Sequence, residues 1–237
     1  VVQEHPALQP LTDIFAIQTD VALHIAAALK AERSVDEQAR IRKDQTSDLE
    51  AYQLYLQGRQ WFVRYTPEGM QRAFEYFRRA IAKDPEYALA HASLAMTYAE
   101  LGEGGALPPD IARGHATDAA ANALRLDPGL GEAHCTAAYL KCLWDFDWAG
   151  AEREYKRALE LSPGGADTYD LYGRLCSALA RYDEAIAMQR RAQELDPLAH
   201  RMDVATTMLR AGRYPEAELG AARVLIAERE GTPIGGG

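Results

Sequence analysis

Residues 163–197 read PGGADTYDLYGRLCSALARYDEAIAMQRRAQELDP, and this stretch decides the fold. Tyr169, Tyr172, Gly173, Cys176 and Leu179 recur at helical spacing and share one face. Ala180-Arg181-Tyr182-Asp183 reads as a turn. Ala185, Met188, Gln189 and Ala192 then mark the inner face of a second helix. Leu195-Asp196-Pro197 closes it, because a proline disfavours helical geometry at the residue before it. The two helices therefore form one antiparallel pair, 34 residues from Pro163 to Pro197.

The same frame recurs upstream. In the second helix of each pair, a small residue is followed four later by a second position. Three later comes another small residue, and five later a proline. Ala185, Gln189, Ala192 and Pro197 are matched by Ala151, Tyr155, Ala158 and Pro163. The earlier sets are Ala116, Ala120, Ala123, Pro128 and Ala73, Phe77, Ala80, Pro85. A fifth set, Ala217, Ala221 and Val224, lacks the closing proline. Alanines at these places fit helices whose backbones approach closely.

A 34-residue helix-turn-helix period with this frame resembles the tetratricopeptide repeat family over about 49–228. The resemblance implies an all-α, right-handed α-solenoid of about five helix-turn-helix units. The repeats are expected near 49–85, 86–128, 129–163, 164–197 and 198–228, within a repeat domain over 49–230. An N-terminal helix and linker over 1–48 precede it, and 231–237 reads as a flexible tail. In 11–33, LTDIFAIQTDVALHIAAALKAER, the residues Ile14, Ile17, Val21, His24, Ile25 and Ala28 make one stripe. Polar 34–48 reads as the linker.

Two insertions depart from the period. Thr66 can cap a helix beginning at Pro67. The stretch EGGALPPD, 103–110, is a loop after which Asp110 can cap the next helix. The turn WDFDWAG, 144–150, is unusually aromatic, and Trp144, Phe146 and Trp148 are expected to plug a junction between helices.

The 237 residues are 48% hydrophobic and 26% charged, with a net charge of −9. That balance suits a globular chain and argues against a nucleic-acid surface, which needs a basic stripe. No run of 18 apolar residues offers a membrane span. Cys135, Cys142 and Cys176 read as reduced packing residues in a cytoplasmic protein. Cys135 and Cys142 are too far apart in sequence for the usual zinc pair, and the six histidines are scattered. His91 and His134 hold the same frame position in successive repeats. No phosphate-cradling glycine loop is present. No catalytic residue, cofactor or metal is therefore expected.

The resemblance implies a concave groove lined by the first helices. Its positions here are Tyr52, Tyr55, Arg59 and Phe62, then Leu89, Ala92 and Met96, then Cys135, Tyr139 and Cys142. Asp170, Arg174 and Arg201 complete it. Family members that grip a peptide carboxylate use lysine and asparagine in this groove. Those positions hold Ala92, Ser93 and Met96, so an apolar or helical ligand fits better. Two occupants stay open, a protein or peptide partner and the chain's own helix 11–33. Self-association, dimerising an effector domain, is the alternative function, and a small-ligand sensor is a third.

A narrower resemblance rests on DIFAIQTDVALHIAAAL, EAYQLYLQGRQWF, TPEGMQRAFEYFRRAI, ALAHASLAMTYAELG and DFDWAGAEREYKRALELSP. Together these are similar to the TolB-like and repeat-bearing C-terminal region of bacterial signalling proteins. There a class III cyclase, a winged-helix domain or a kinase comes first. This implies a non-enzymatic regulatory scaffold whose effector domain lies upstream.

Overall fold

A computed structural model describes residues 46–197 and 203–218. The expected helix 11–33, most of the linker, Arg201, Ala221, Val224 and the tail lie outside them. The chain divides into two compact units, Val1–Ala90 and His91–Gly237.

In the first unit, α1 (Leu49–Phe62) and α2 (Pro67–Lys83) pack as a pair. The last residues of the expected linker are fixed in place. The Asp48 carboxylate caps α1 by accepting from the Ala51 N–H at 2.9 Å. The Thr46 hydroxyl accepts from the Asp48 N–H at 3.1 Å and donates to the carboxylate of Asp84, which ends α2. Thr66 caps α2 as expected, accepting from the Gly69 N–H at 3.0 Å with Pro67 as the first helical residue. The pair closes around Phe77, which has no exposure. A Cβ on Gly58 would stand 2.5 Å from the Phe77 ring, so only glycine fits where α1 crosses α2.

The second unit continues the pattern. Its helices are α3 (Ala88–Glu103, whose first residues belong to the first unit), α4 (Pro109–Leu126) and α5 (Gly131–Leu140). After a π-helical turn, Lys141–Asp145, come α6 (Trp148–Leu161), α7 (Ala166–Ala178), α8 (Tyr182–Leu195) and α9 (Asp203–Arg210). Residues 214–218 are again helical, and no strand occurs among the described residues. Every alanine of the repeating frame in α2, α4, α6 and α8 is buried. Gly173 repeats the role of Gly58, since its Cβ would meet Gln189 Cγ at 2.7 Å and the Ala185 carbonyl at 3.1 Å. One core cluster joins α3, α4 and α5 through Ala95, Ala99, Ala116, Ala120 and Leu140. Another joins α5 to α8 through Ala138, Tyr155, Ala158, Tyr172, Cys176 and Ala185.

Three local expectations need correction. Asp110 does not cap α4. That helix starts at Pro109 after Pro108, and Asp110 lies within its first turn, where a carboxylate still favours the helix dipole. In the fourth repeat α8 already begins at Tyr182, so the turn runs through Leu179, Ala180 and Arg181. Leu179 is 37% exposed and not on the inner face, because α7 ends at Ala178 and Ala180 takes a left-handed φ of 59°. Of the three aromatics expected to plug a junction, only Trp144 packs on a core cluster. Phe146 stands at φ 51°, and it turns outward against Trp148 with ring centroids 5.7 Å apart.

Ion pairs link consecutive repeats along the edge where first helix turns into second. Arg113 of α4 meets Asp145 at 2.7 Å, and Arg213 meets Asp183 of α8. Between them, Arg181 reaches Glu152 of α6 at 2.8 Å and Glu184 of α8 at 2.9 Å. The Tyr172 hydroxyl donates to Glu152 at 3.1 Å. Hydrogen bonds from Arg181 and Lys156 hold the Glu152 carboxyl down at about 2.

Two outcomes follow. Ala185→Leu forces a large side chain into a closed crossing and should cost about 1–3 kcal/mol, and Phe77→Ala should cost about 3–5 kcal/mol, both read by denaturant unfolding. Glu152 is ionised more easily in the folded chain, so its contribution is present above its ordinary value of 4.5 and is lost as pH falls towards about 2. Glu152→Gln should flatten the acid limb of a stability-against-pH curve over that window.

Candidate interaction surface

The positions expected to line a groove divide into buried and presented ones. In the first unit, Tyr55 is buried with its ring 5.8 Å from Phe77 and 5.3 Å from Tyr87. Tyr52, Arg59, Phe62 and Leu89 are half-buried, and Phe62 packs on Tyr65 at 5.7 Å. In the second unit, Ala92 and Cys135 are buried, and Met96, Tyr139 and Cys142 are half-buried. Burial pushes the Cys135 thiol up to about 12 and Cys142 up to about 11, so neither is a ready nucleophile. Asp170 is only 1% exposed, whereas Arg174 is exposed.

The expected apolar channel is therefore corrected. Tyr55, Ala92 and Cys135 are consumed by packing between helices, because the first helices also need small or apolar residues where they meet their neighbours. His134 is likewise structural. Its Nδ1 lies 2.7 Å from Glu154 of α6, and its Nε2 lies 3.0 Å from the Pro128 carbonyl.

What the second unit presents is a polar strip across successive first helices. The Tyr139 hydroxyl on α5 donates to Glu103 of α3 at 2.6 Å and lies 3.4 Å from Glu100. Arg174 on α7 holds Asp170 at 2.8 Å and reaches Asp203 of α9 at 3.5 Å. Burial, then the neighbouring Glu103, raise the Glu100 carboxyl above its usual range, while Arg174 and the Tyr139 hydroxyl oppose the shift. Glu100, Glu103, Asp170 and Asp203 thus stand beside Tyr139 and Arg174, and the strip is rich in carboxylates.

Of the positions named from the sequence, Tyr139, Asp170 and Arg174 stand in this strip, beside Glu100, Glu103 and Asp203, which were not named. Met96, Glu100 and Glu103 are spaced four and three apart, so extending the face beyond Met96 by one turn finds the two glutamates. No group of metal-binding side chains occurs among the described residues, and none of their helices is long and apolar enough to cross a membrane.

Residues 166–197 match the family model described as tetratricopeptide repeat. Over 86 residues the chain is 34% identical to a protein called putative adenylate cyclase 3 from Rhizobium meliloti (strain 1021). That match spans 36% of this chain and 15% of the cyclase. Among solved structures, a thermophilic tetratricopeptide repeat protein of Thermus thermophilus is similar with a TM-score of 0.56 at 19% identity. The likeness covers 81% of this chain and 99% of that one. Yeast Tom70 is similar with a TM-score of 0.54 at 21% identity, over 75% of this chain and 38% of Tom70. At these identities the likeness is one of fold.

Removing the opposing groups should move Glu100 further. In carboxyl-carbon NMR titrations, Tyr139→Phe and Arg174→Ala should each raise the Glu100 midpoint, and Glu103→Gln should lower it. Because the folded value is raised, ionising Glu100 opposes folding, and stability falls as pH rises from 4.5 towards that value. This sign is opposite to that of Glu152.

Proposed function

Because the chain is a tetratricopeptide-repeat protein, carrying a matched repeat at 166–197 and the fold of that class, we propose that it is a non-enzymatic scaffold. It holds a protein or peptide partner and serves as the interaction region of a larger bacterial signalling protein. The observation that carries this reading is the strip of Glu100, Glu103, Tyr139, Arg174 and Asp203, which crosses four first helices of the second unit. Successive repeats offer such a surface without ordering a loop, so a partner binds a shape that already exists.

The strip also sets the partner's chemistry. A docking segment with lysine or arginine side chains meets the carboxylates of Glu100 and Glu103, and a partner's guanidinium can engage Glu103 as Tyr139 now does. The buried thiols and the satisfied His134 supply no acid, base or nucleophile to this surface. The signalling context is supported by the partial likeness to the putative cyclase of Rhizobium meliloti, whose own activity is a property of that whole protein.

The test uses two short fluorescein-labelled peptides of equal length, one rich in arginine and lysine and one rich in glutamate. Anisotropy should show binding of the basic peptide that weakens with added salt. Reversal by Glu100→Lys with Glu103→Lys should weaken it about tenfold or more, while circular dichroism keeps its helical signal. Equal binding of both peptides, binding of neither, or indifference to the charge reversal would overturn the reading.

A further inference from the structure

We propose that the outward face of α1 is the seat of the chain's own segment 11–33, which lies outside the described residues and folds back on α1 as an antiparallel helix. The proposal concerns the first unit alone, and it goes beyond the carboxylate-rich strip of the second.

α1 carries two apolar stripes. One, made of Ala51, Leu54, Tyr55 and Gly58, is buried, and it meets α2 where Gly58 crosses Phe77. The other is Leu49, Tyr52, Leu56, Arg59 and Val63, which recur at spacings of three and four and so share a single face. Leu49, Tyr52 and Arg59 are half-buried, whereas Leu56 is 45% exposed and Val63 60%. Glu50, Gln53, Gln57 and Gln60 lie to one side of this second stripe. A helix with one buried face needs only one apolar stripe, so the second is built to be covered.

A later first helix shows how. Thr136 stands two residues before Ala138 in α5, as Leu56 stands two before Gly58 in α1. Thr136 is buried against the preceding first helix, and its hydroxyl donates to the Ala92 carbonyl of α3 at 3.5 Å. Leu56 holds that place on α1, and the segment ahead of it in the sequence is 11–33.

The order of residues picks this occupant. Read backwards, the segment offers Ala28, Ile25, Val21, Gln18 and Ile14, at the same spacings of three, four, three and four as the stripe on α1. Laid antiparallel, Ala28 meets Leu49, Ile25 meets Tyr52, Val21 meets Leu56 and Ile14 meets Val63. The one polar residue of each stripe, Gln18 and Arg59, falls in the same layer. A single matched polar layer among apolar ones is what sets register and partner in packed helix pairs.

The connection is long enough. Residues 34–45 reach up to about 40 Å when extended, and packed helices lie about 8–10 Å apart. The far end of this connection is fixed, since Thr46 donates to the Asp84 carboxylate and Asp48 caps α1. The segment is therefore tethered at the foot of α1, which raises its effective concentration at the seat.

Paired cysteines in the full chain test this. On oxidation with diamide, Val21→Cys with Leu56→Cys should form a disulfide within one copy, and so should Ile14→Cys with Val63→Cys. Ile25→Cys with Val63→Cys should not, because the antiparallel register sets these about 16 Å apart along the axis. The reverse pattern would overturn the antiparallel arrangement. Cross-links only between copies would give the seat to a second copy, and they or the absence of any cross-link would overturn the proposal. A second reading needs no oxidation. In Leu56→Asp with Val63→Asp the segment should come off, and trypsin should cut after Lys30 about tenfold faster or more. Both side chains are exposed, so the described repeats stay folded. An unchanged cleavage rate would also overturn the proposal. Basic-peptide binding at the second unit should be the same in this variant, so failure here and failure of the strip read separately.

Discussion

Close approach of helix backbones is the constraint on which the rest depends. At each crossing one helix offers a small residue and the other a residue that fills the remaining gap. Gly58 takes the edge of the Phe77 ring, and Gly173 takes the stem of Gln189. Alanines at 73, 80, 116, 123, 151, 158, 185 and 192 have no exposure at all. The hydrophobic gain per alanine is small. Its importance is geometric, because a larger side chain would separate the helices and leave the aromatic partners without contacts. Once these crossings are set, each pair is fixed and can stack on its neighbour.

Function in such an array is a matter of what remains outside. The crossings consume apolar residues from both helices, so Tyr55, Ala92 and Cys135 are spent on packing and a polar strip is left on the first helices. The turn edge follows a different logic. It is not needed for packing within a pair, and there the chain tolerates exposed aromatics beside ion pairs that clip consecutive repeats. Two surfaces of unlike chemistry thus coexist on one unit, one rich in carboxylates and one where exposed aromatics stand beside ion pairs.

Much of the fold was legible in the sequence, because the frame of small residues and prolines is local and repeated. The Thr66 cap and the burial of Ala158 and Ala185 follow directly from that periodicity. The candidate surface was legible only in part. Spacing names Tyr139, Asp170 and Arg174, but exposure depends on what a neighbouring repeat covers, which spacing within one helix does not encode, and Asp170 is only 1% exposed. Glu100 and Glu103 share Met96's face but lie beyond the positions that family likeness highlights. The aromatic turn misled for a related reason. Trp and Phe are core residues by preference, whereas a π-turn and one left-handed residue rotate Phe146 away from the junction that Trp144 fills.

Gln189 occupies the slot that Phe77 and Tyr155 fill in other repeats, and its carbonyl oxygen is buried without a hydrogen-bond donor. An amide there gives up the ring contacts and adds a desolvated dipole, a cost that Phe77 and Tyr155 do not carry at their crossings. Because contacts in an array run only between neighbours, such a difference stays local. The fourth pair thus carries a local cost that the block around Tyr155 does not.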